Sequence, residues 1–244
     1  VWSMYDYNRG CCDNICYSGV ADIFRLPKFS LSFFRIQIAE GSMLPSGKMP
    51  YEVFIPAYRD EILSDTVMVY GNVDEVELVL NGKTIRRQTA DKGPDSDYIP
   101  VPNGGNGKNL HFPPFTFYGV PKERGVLEAV GYHQGKKVAE YTVKTPGVPE
   151  RLDITYFESG KPATKNDLLI VYVRMLDKQG VLCPVNGIPV ELSVQGGEIV
   201  GPTSYPLEAG VASFLVRTGE ISKININATG KGFSTRKSLK VGKE

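Results

Sequence analysis

Over most of the chain, apolar positions recur at every second residue, the spacing that turns one face of an extended strand toward a core and the other toward water. The clearest case is Val76-Glu77-Leu78-Val79-Leu80, in which Val76, Leu78 and Leu80 share a face. Asn81-Gly82 follows directly. Both residues tolerate the positive φ that a type I′ turn needs at its central positions, so residues 83–88 are predicted to pair back antiparallel onto 76–80. A second hairpin is predicted from residues 126–132 and 137–143 around His133-Gln134-Gly135-Lys136, with Val138 alternating with polar neighbours.

Farther along, residues 168–176 form a long apolar-rich strand and Asp177-Lys178-Gln179-Gly180 a turn. Val190-Glu191-Leu192-Ser193-Val194 alternates cleanly, and Gly196-Gly197 bends the chain. Residues 210–217 and 221–228 add strands in which Ile224 and Ile226 face one side and Asn225 and Asn227 the other, and residues 234–241 close the sheet. Thr145-Pro146-Gly147-Val148-Pro149 separates the two runs of strands, because its prolines remove backbone donors and stiffen the chain.

Two stretches break the strand rhythm. Residues 20–40 carry a helical one: Pro27 suits a first helical turn, Phe29, Phe33, Phe34 and Ile36 make an apolar stripe, and Gly41 ends it. Residues 91–109 hold Gly93, Pro94, Pro100, Pro102, Gly104, Gly105 and Gly107, and read as a long exposed loop. The expected fold class is therefore all-β: two immunoglobulin-like antiparallel β-sandwiches in tandem, at 50–146 and 149–244, preceded by a short helical segment within 1–45.

Length agrees with this, since 244 residues accommodate two sandwiches of about 100 residues each. The 28 basic residues nearly cancel the 27 acidic ones, and no cluster of Lys and Arg could neutralise several phosphates, so nucleic acid is excluded as an expected partner. No run of about 18 apolar residues suits a membrane span. The abrupt apolar start at Val1-Trp2-Ser3-Met4-Tyr5, without an initiator methionine, reads as a cut through a longer protein.

Cys11, Cys12 and Cys16 crowd one segment and Cys183 stands alone, unlike the even framework of a disulfide-stapled domain. A zinc site would need a fourth ligand, and neither His111 nor His133 lies near the cluster in sequence. The expectation is free thiols, no metal and no cofactor. His111 and His133 each stand alone and are expected at the surface or in packing.

Two runs carry a family resemblance. Trp2-Ser3-Met4-Tyr5-Asp6-Tyr7, followed by Gly19-Val20-Ala21-Asp22-Ile23-Phe24-Arg25-Leu26-Pro27-Lys28, resembles the last strand, loop and helix of the catalytic (β/α)8 barrel of glycoside hydrolase family 2. Residues 51–144 resemble the sandwich that follows the barrel in many gut-bacterial members. Residues 151–241 resemble the bacterial Ig-like repeat of invasin-type surface proteins, through Asp177-Lys178-Gln179-Gly180, Pro184-Val185-Asn186 and Gly196-Gly197-Glu198-Ile199-Val200.

The resemblance implies a non-catalytic C-terminal region of a retaining, β-galactosidase-like enzyme. The two catalytic glutamates of that family stand on earlier barrel strands, so no catalytic residue is expected here. It also implies that Trp2 floors a sugar subsite beside Asp6 and Tyr7. The implied partners are the glycan substrate of the parent enzyme and its upstream barrel, and the implied location is periplasmic, cell-surface or secreted in a bacterium.

Two other functions are open. Phe112-Pro113-Pro114-Phe115-Thr116-Phe117-Tyr118 could present Phe115, Phe117 and Tyr118 as a glycan platform of a carbohydrate-binding module, although packing of the same rings in a sandwich core is the expectation. The invasin-like repeat suggests surface adhesion.

Overall fold

The computed structural model of the chain describes residues 3–10, 14–38, 50–57, 65–91, 110–157 and 162–242. The chain divides into two compact units, Val1–Thr145 and Pro146–Glu244.

In the first unit, β1 (Ser3–Tyr5), β2 (Tyr7–Asn8), β3 (Ile15–Cys16) and β4 (Gly19–Ala21) precede the helix α1 (Phe29–Ile36). The pair β1–β4 is parallel, with Ser3 opposite Gly19 and Tyr5 opposite Ala21. The remaining strands are β5 (Val53–Phe54), β6 (Val67–Gly71), β7 (Glu75–Leu80), β8 (Lys83–Thr89), β9 (Phe115–Phe117), β10 (Val126–His133) and β11 (Lys136–Lys144). They form one sheet in the order β11-β10-β7-β8 and another in the order β5-β6-β9. Val69, Phe115 and Phe117 from the second sheet and Val76, Leu78 and Leu127 from the first share one buried core.

Both predicted hairpins are present. Asn81 and Gly82 take φ of 51° and 76°, and Gln134 and Gly135 take 50° and 75°, so each turn is carried by residues that accept the left-handed region. β7 pairs with β8 from Leu80↔Lys83 to Glu75↔Thr89, with a bulge at Leu78/Val79.

The helix is shorter than its sequence pattern. It starts at Phe29 with Lys28 as N-cap and ends at the Gln37 C-cap, so residues 20–28 are strand and turn rather than helix. Pro27 lies outside the first helical turn, in a bridge with Ala21. Of the expected stripe Ile36 is buried and Phe33 half-buried, whereas Phe29 and Phe34 are exposed. The predicted Gly41 stop and the 91–109 loop, apart from Asp91, lie outside the described residues.

The second unit contains β12 (Arg151–Tyr156), β13 (Leu168–Leu176), β14 (Pro189–Gln195), β15 (Gly197–Ile199), β16 (Ser204–Pro206), β17 (Val211–Thr218), β18 (Lys223–Gly230) and β19 (Phe233–Lys240). Two four-stranded antiparallel sheets, β12-β13-β17-β15 and β16-β14-β18-β19, enclose Val171, Val173, Met175, Phe214, Ile224 and Ile226. Ile224 and Ile226 are buried while Asn225 and Asn227 are half-buried, as alternation along β18 requires. Among the described residues, no helix is long and apolar enough to cross a membrane.

Candidate functional site

The residues singled out at the N-terminus surround the parallel pair. Asp6 follows β1, and its N–H donates to the Ala21 carbonyl at 3.0 Å. Its carboxylate accepts from the Gly19 N–H at 2.9 Å and from Lys28 Nζ at 2.7 Å, and Lys28 also donates to the Tyr17 carbonyl at 3.0 Å. Strand and helix start are thus clasped through one buried carboxylate. Gly19 is required for the approach, because a Cβ there would stand 2.2 Å from the Asp6 nitrogen.

Asp22 accepts from the Leu26 N–H at 2.7 Å, and burial raises its carboxyl above the usual range despite that bond. The Arg25 guanidinium lies 3.7 Å above the Tyr5 ring. Tyr7 pairs with Cys16 in the β2–β3 ladder. Trp2, Cys11 and Cys12 lie outside the described residues.

The aromatic platform reading of Phe115 and Phe117 is corrected by their position. Both are 0% exposed in β9, packed in the core, and a ring without an exposed face cannot stack on a sugar. Tyr118 is half-buried just beyond the strand. Three consecutive buried residues in β9 explain why alternation gave no inward or outward assignment there.

A different set of residues lines a pocket of about 250 Å³ in the first unit: Ile38 after α1, Tyr51, the β6–β7 connection Asn72-Val73-Asp74, His111-Phe112 ahead of β9, and His133 at the end of β10. Its position follows from strand register. Tyr132 pairs with Glu75, so the next residues on each strand, His133 and Asp74, meet at the sheet end. His133 Nδ1 lies 3.1 Å from Asp74 Oδ1, and Asp74 Oδ2 accepts the Gln134 N–H at 2.7 Å.

That backbone N–H, with a smaller contribution from His133, holds Asp74 below the usual carboxylate range against partial desolvation. The Tyr51 ring stacks on His133 with centroids 4.7 Å apart and planes inclined by 26°. His111 meets Phe112 edge to face at 4.4 Å.

Main-chain contacts fix this lining. The Gln37 side chain pairs with both polar groups of the Phe112 backbone, donating from Nε2 to its carbonyl at 2.7 Å and accepting its N–H at 3.1 Å. The Asn72 side chain donates to the Pro50 carbonyl at 3.0 Å and accepts the Glu52 N–H at 2.6 Å. Glu52 in turn pairs with Arg35 of α1 at 2.7 Å.

The two histidines, which stand alone in sequence, are thereby brought to one pocket. His133 gains a carboxylate and an aromatic partner that no local spacing announces. Among the described residues, no group of three or more His, Cys, Asp or Glu side chains could hold a metal ion, and Cys16 and Cys183 are free thiols. Among the described residues the pocket lining offers aromatic surface, two imidazoles and one carboxylate.

Residues 64–139 match the family described as a domain of unknown function, DUF4982. The chain is 33% identical over 233 residues to a β-galactosidase of Thermoanaerobacter pseudethanolicus, covering 89% of this chain and 29% of that protein. It is 30% identical over 112 residues to a β-galactosidase of Rhizobium radiobacter, covering 45% of this chain and 81% of that sequence. A solved β-glucuronidase from glycoside hydrolase family 2 has the same fold over 98% of this chain and 24% of its own, with a TM-score of 0.76 at 21% identity. The chain therefore spans under a third of the length of the Thermoanaerobacter relative. These likenesses carry the conclusion that the chain belongs to glycoside hydrolase family 2.

Proposed function

We propose that this chain is a non-catalytic accessory region of a retaining, β-galactosidase-like glycoside hydrolase, located C-terminal to the bond-cleaving residues. In this reading residues 1–45 complete a (β/α)8 catalytic barrel, and 50–146 and 149–244 are immunoglobulin-like sandwiches, the second of the invasin type. The glycan substrate and the upstream barrel are the partners, and the periplasm or cell surface is the location.

The observation that carries this reading is the parallel pair β1–β4 leading into α1. Parallel strands belong to larger α/β sheets covered on both faces, and a pair alone is not a stable unit. The segments around it also expose apolar side chains: Met4 is 57% and Tyr17 67% exposed, and Ile23, Phe29 and Phe34 are exposed as well. Exposed apolar side chains of this kind are ones that a further protein layer would cover. On this reading Trp2 and Tyr7 contribute to the sugar subsite of the assembled barrel, and Asp6 contributes by holding the strand end against Gly19 and Lys28.

The test is turnover. The 244-residue chain, incubated with nitrophenyl β-galactoside and nitrophenyl β-glucuronide, is expected to release no nitrophenol above buffer. Release that disappears on replacing a glutamate of this chain by glutamine would overturn the reading.

A further inference from the structure

We propose that the pocket bounded by Tyr51, Asp74, His111, Phe112 and His133 binds a single pyranose ring. Its volume of about 250 Å³, below the roughly 300–1,000 Å³ of pockets that take drug-sized ligands, suits one ring and its substituents.

The lining decides the chemistry. A pyranose has an apolar C–H face and a rim of hydroxyls that both donate and accept. Tyr51, 38% exposed, and Phe112 supply flat apolar surface for the first. Asp74 supplies acceptors for the second: it stays ionised at neutral pH, and each of its oxygens, although already engaged by His133 or Gln134, keeps a further lone pair. His111 also lines the pocket, and its ring nitrogens can hydrogen-bond a hydroxyl at the rim.

Rival occupants fit less well. Among the described residues no Lys or Arg lines the pocket, so none of them neutralises a phosphate or sulfate. A carboxylate beside aromatic rings attracts ammonium groups, but this one already faces the His133 ring and the Gln134 N–H, which weakens its field. Asp74, His111 and His133 do not form a metal-holding group.

The site is built rather than adventitious. The Gln37 amide fixes the Phe112 backbone and the Asn72 amide fixes Pro50 and Glu52 on either side of Tyr51, so the rings are held in place before a ligand arrives. The inference goes beyond the accessory role and stands apart from it: turnover by this chain would remove that reading and leave this site, and failure of sugar binding would do the reverse.

The experiment is an NMR titration of the full chain with methyl β-galactoside, methyl β-glucuronide and tetramethylammonium, following the Tyr51 and His133 ring signals. The neutral glycoside is expected to give saturable shifts with a Kd of about 1 mM. The anionic glycoside is expected to bind no more tightly, because no described Lys or Arg lines the pocket to meet its carboxylate. Tyr51→Ala and Phe112→Ala should each weaken binding about tenfold and Asp74→Asn about fivefold, with core methyl signals unchanged. Where an alanine variant loses the core signals, Asp74→Asn decides. No saturable shift with either glycoside, saturation by tetramethylammonium only, or unchanged affinity in the folded variants would each overturn the proposal.

Discussion

Lys28 Nζ and the Asp6 carboxylate form an ion pair at 2.7 Å, and the Asp6 side chain is buried while that of Lys28 is about one-third exposed. The pair joins the end of the first parallel strand to the residue that caps the helix. Among the described residues, Lys28→Met leaves the Asp6 carboxylate with the Gly19 N–H alone for compensation. A loss of about 2 kcal/mol is expected for the 3–38 segment, the usual range for a hydrogen bond to a charged group. Limited proteolysis should cut this segment faster while the 146–244 unit is unaffected.

Asn81 performs two separable tasks. It takes positive φ in its turn, and its side chain clamps residues 124–126 by donating to the Arg124 carbonyl at 3.1 Å and accepting the Val126 N–H at 2.9 Å. Asn81→Gly keeps the turn and loses the clamp, for an expected cost of about 1 kcal/mol; Asn81→Ala loses both, for about 2 kcal/mol. Gly125→Ala should cost at least as much, because its φ is 135° and its Cβ would stand 1.9 Å from Asn81 Oδ1. Denaturant midpoints at constant m-value measure all three.

The Asp177 carboxylate is expected to make the second unit sensitive to acid. Burial raises its pKa, but the N–H groups of Gly147, Val181 and Gln179, at 2.7, 2.8 and 2.8 Å, outweigh burial and hold it below the usual range. A depressed folded-state pKa gives stability that is present above the unfolded value of about 3.9 and is lost as pH falls through the folded one. Asp177→Asn should therefore lower Tm at pH 7, and the difference between variant and parent should shrink below about pH 4.

The two described thiols should differ in reactivity. Hydrogen bonds from Ser18 and Tyr7 lower Cys16 to about 7, and it is half-exposed, whereas burial raises Cys183. Thiolate is the nucleophile, so brief iodoacetamide treatment at pH 7.5 should alkylate Cys16 well before Cys183, as read by peptide mass spectrometry. Equal labelling would contradict the arrangement around Cys16.

The hairpins were legible because their determinants are local: Asn81-Gly82 and Gln134-Gly135 carry the φ that their turns need, and Val76, Leu78 and Leu80 share one buried face. The helix start was not, because Pro27 suits a first turn as well as it suits the bridge to Ala21 that it makes. The pocket was hidden for a stronger reason. Asp74 and His133 are 59 residues apart and meet only through the register of β7 on β10, while Gln37 and Phe112 meet across 75. Aromatic content could not separate Phe115 and Phe117, in the core, from Phe112, at the pocket, since a run of three buried residues has no alternation to read.

Amide hydrogen exchange in β1 and β4 tests the central claim most directly. If this parallel pair belongs to a larger barrel, its amides should exchange about a hundredfold more slowly in a longer polypeptide that carries the upstream region than in the 244-residue chain, while β7 and β10 exchange alike in both. Equal protection of β1 and β4 in the two would contradict the account.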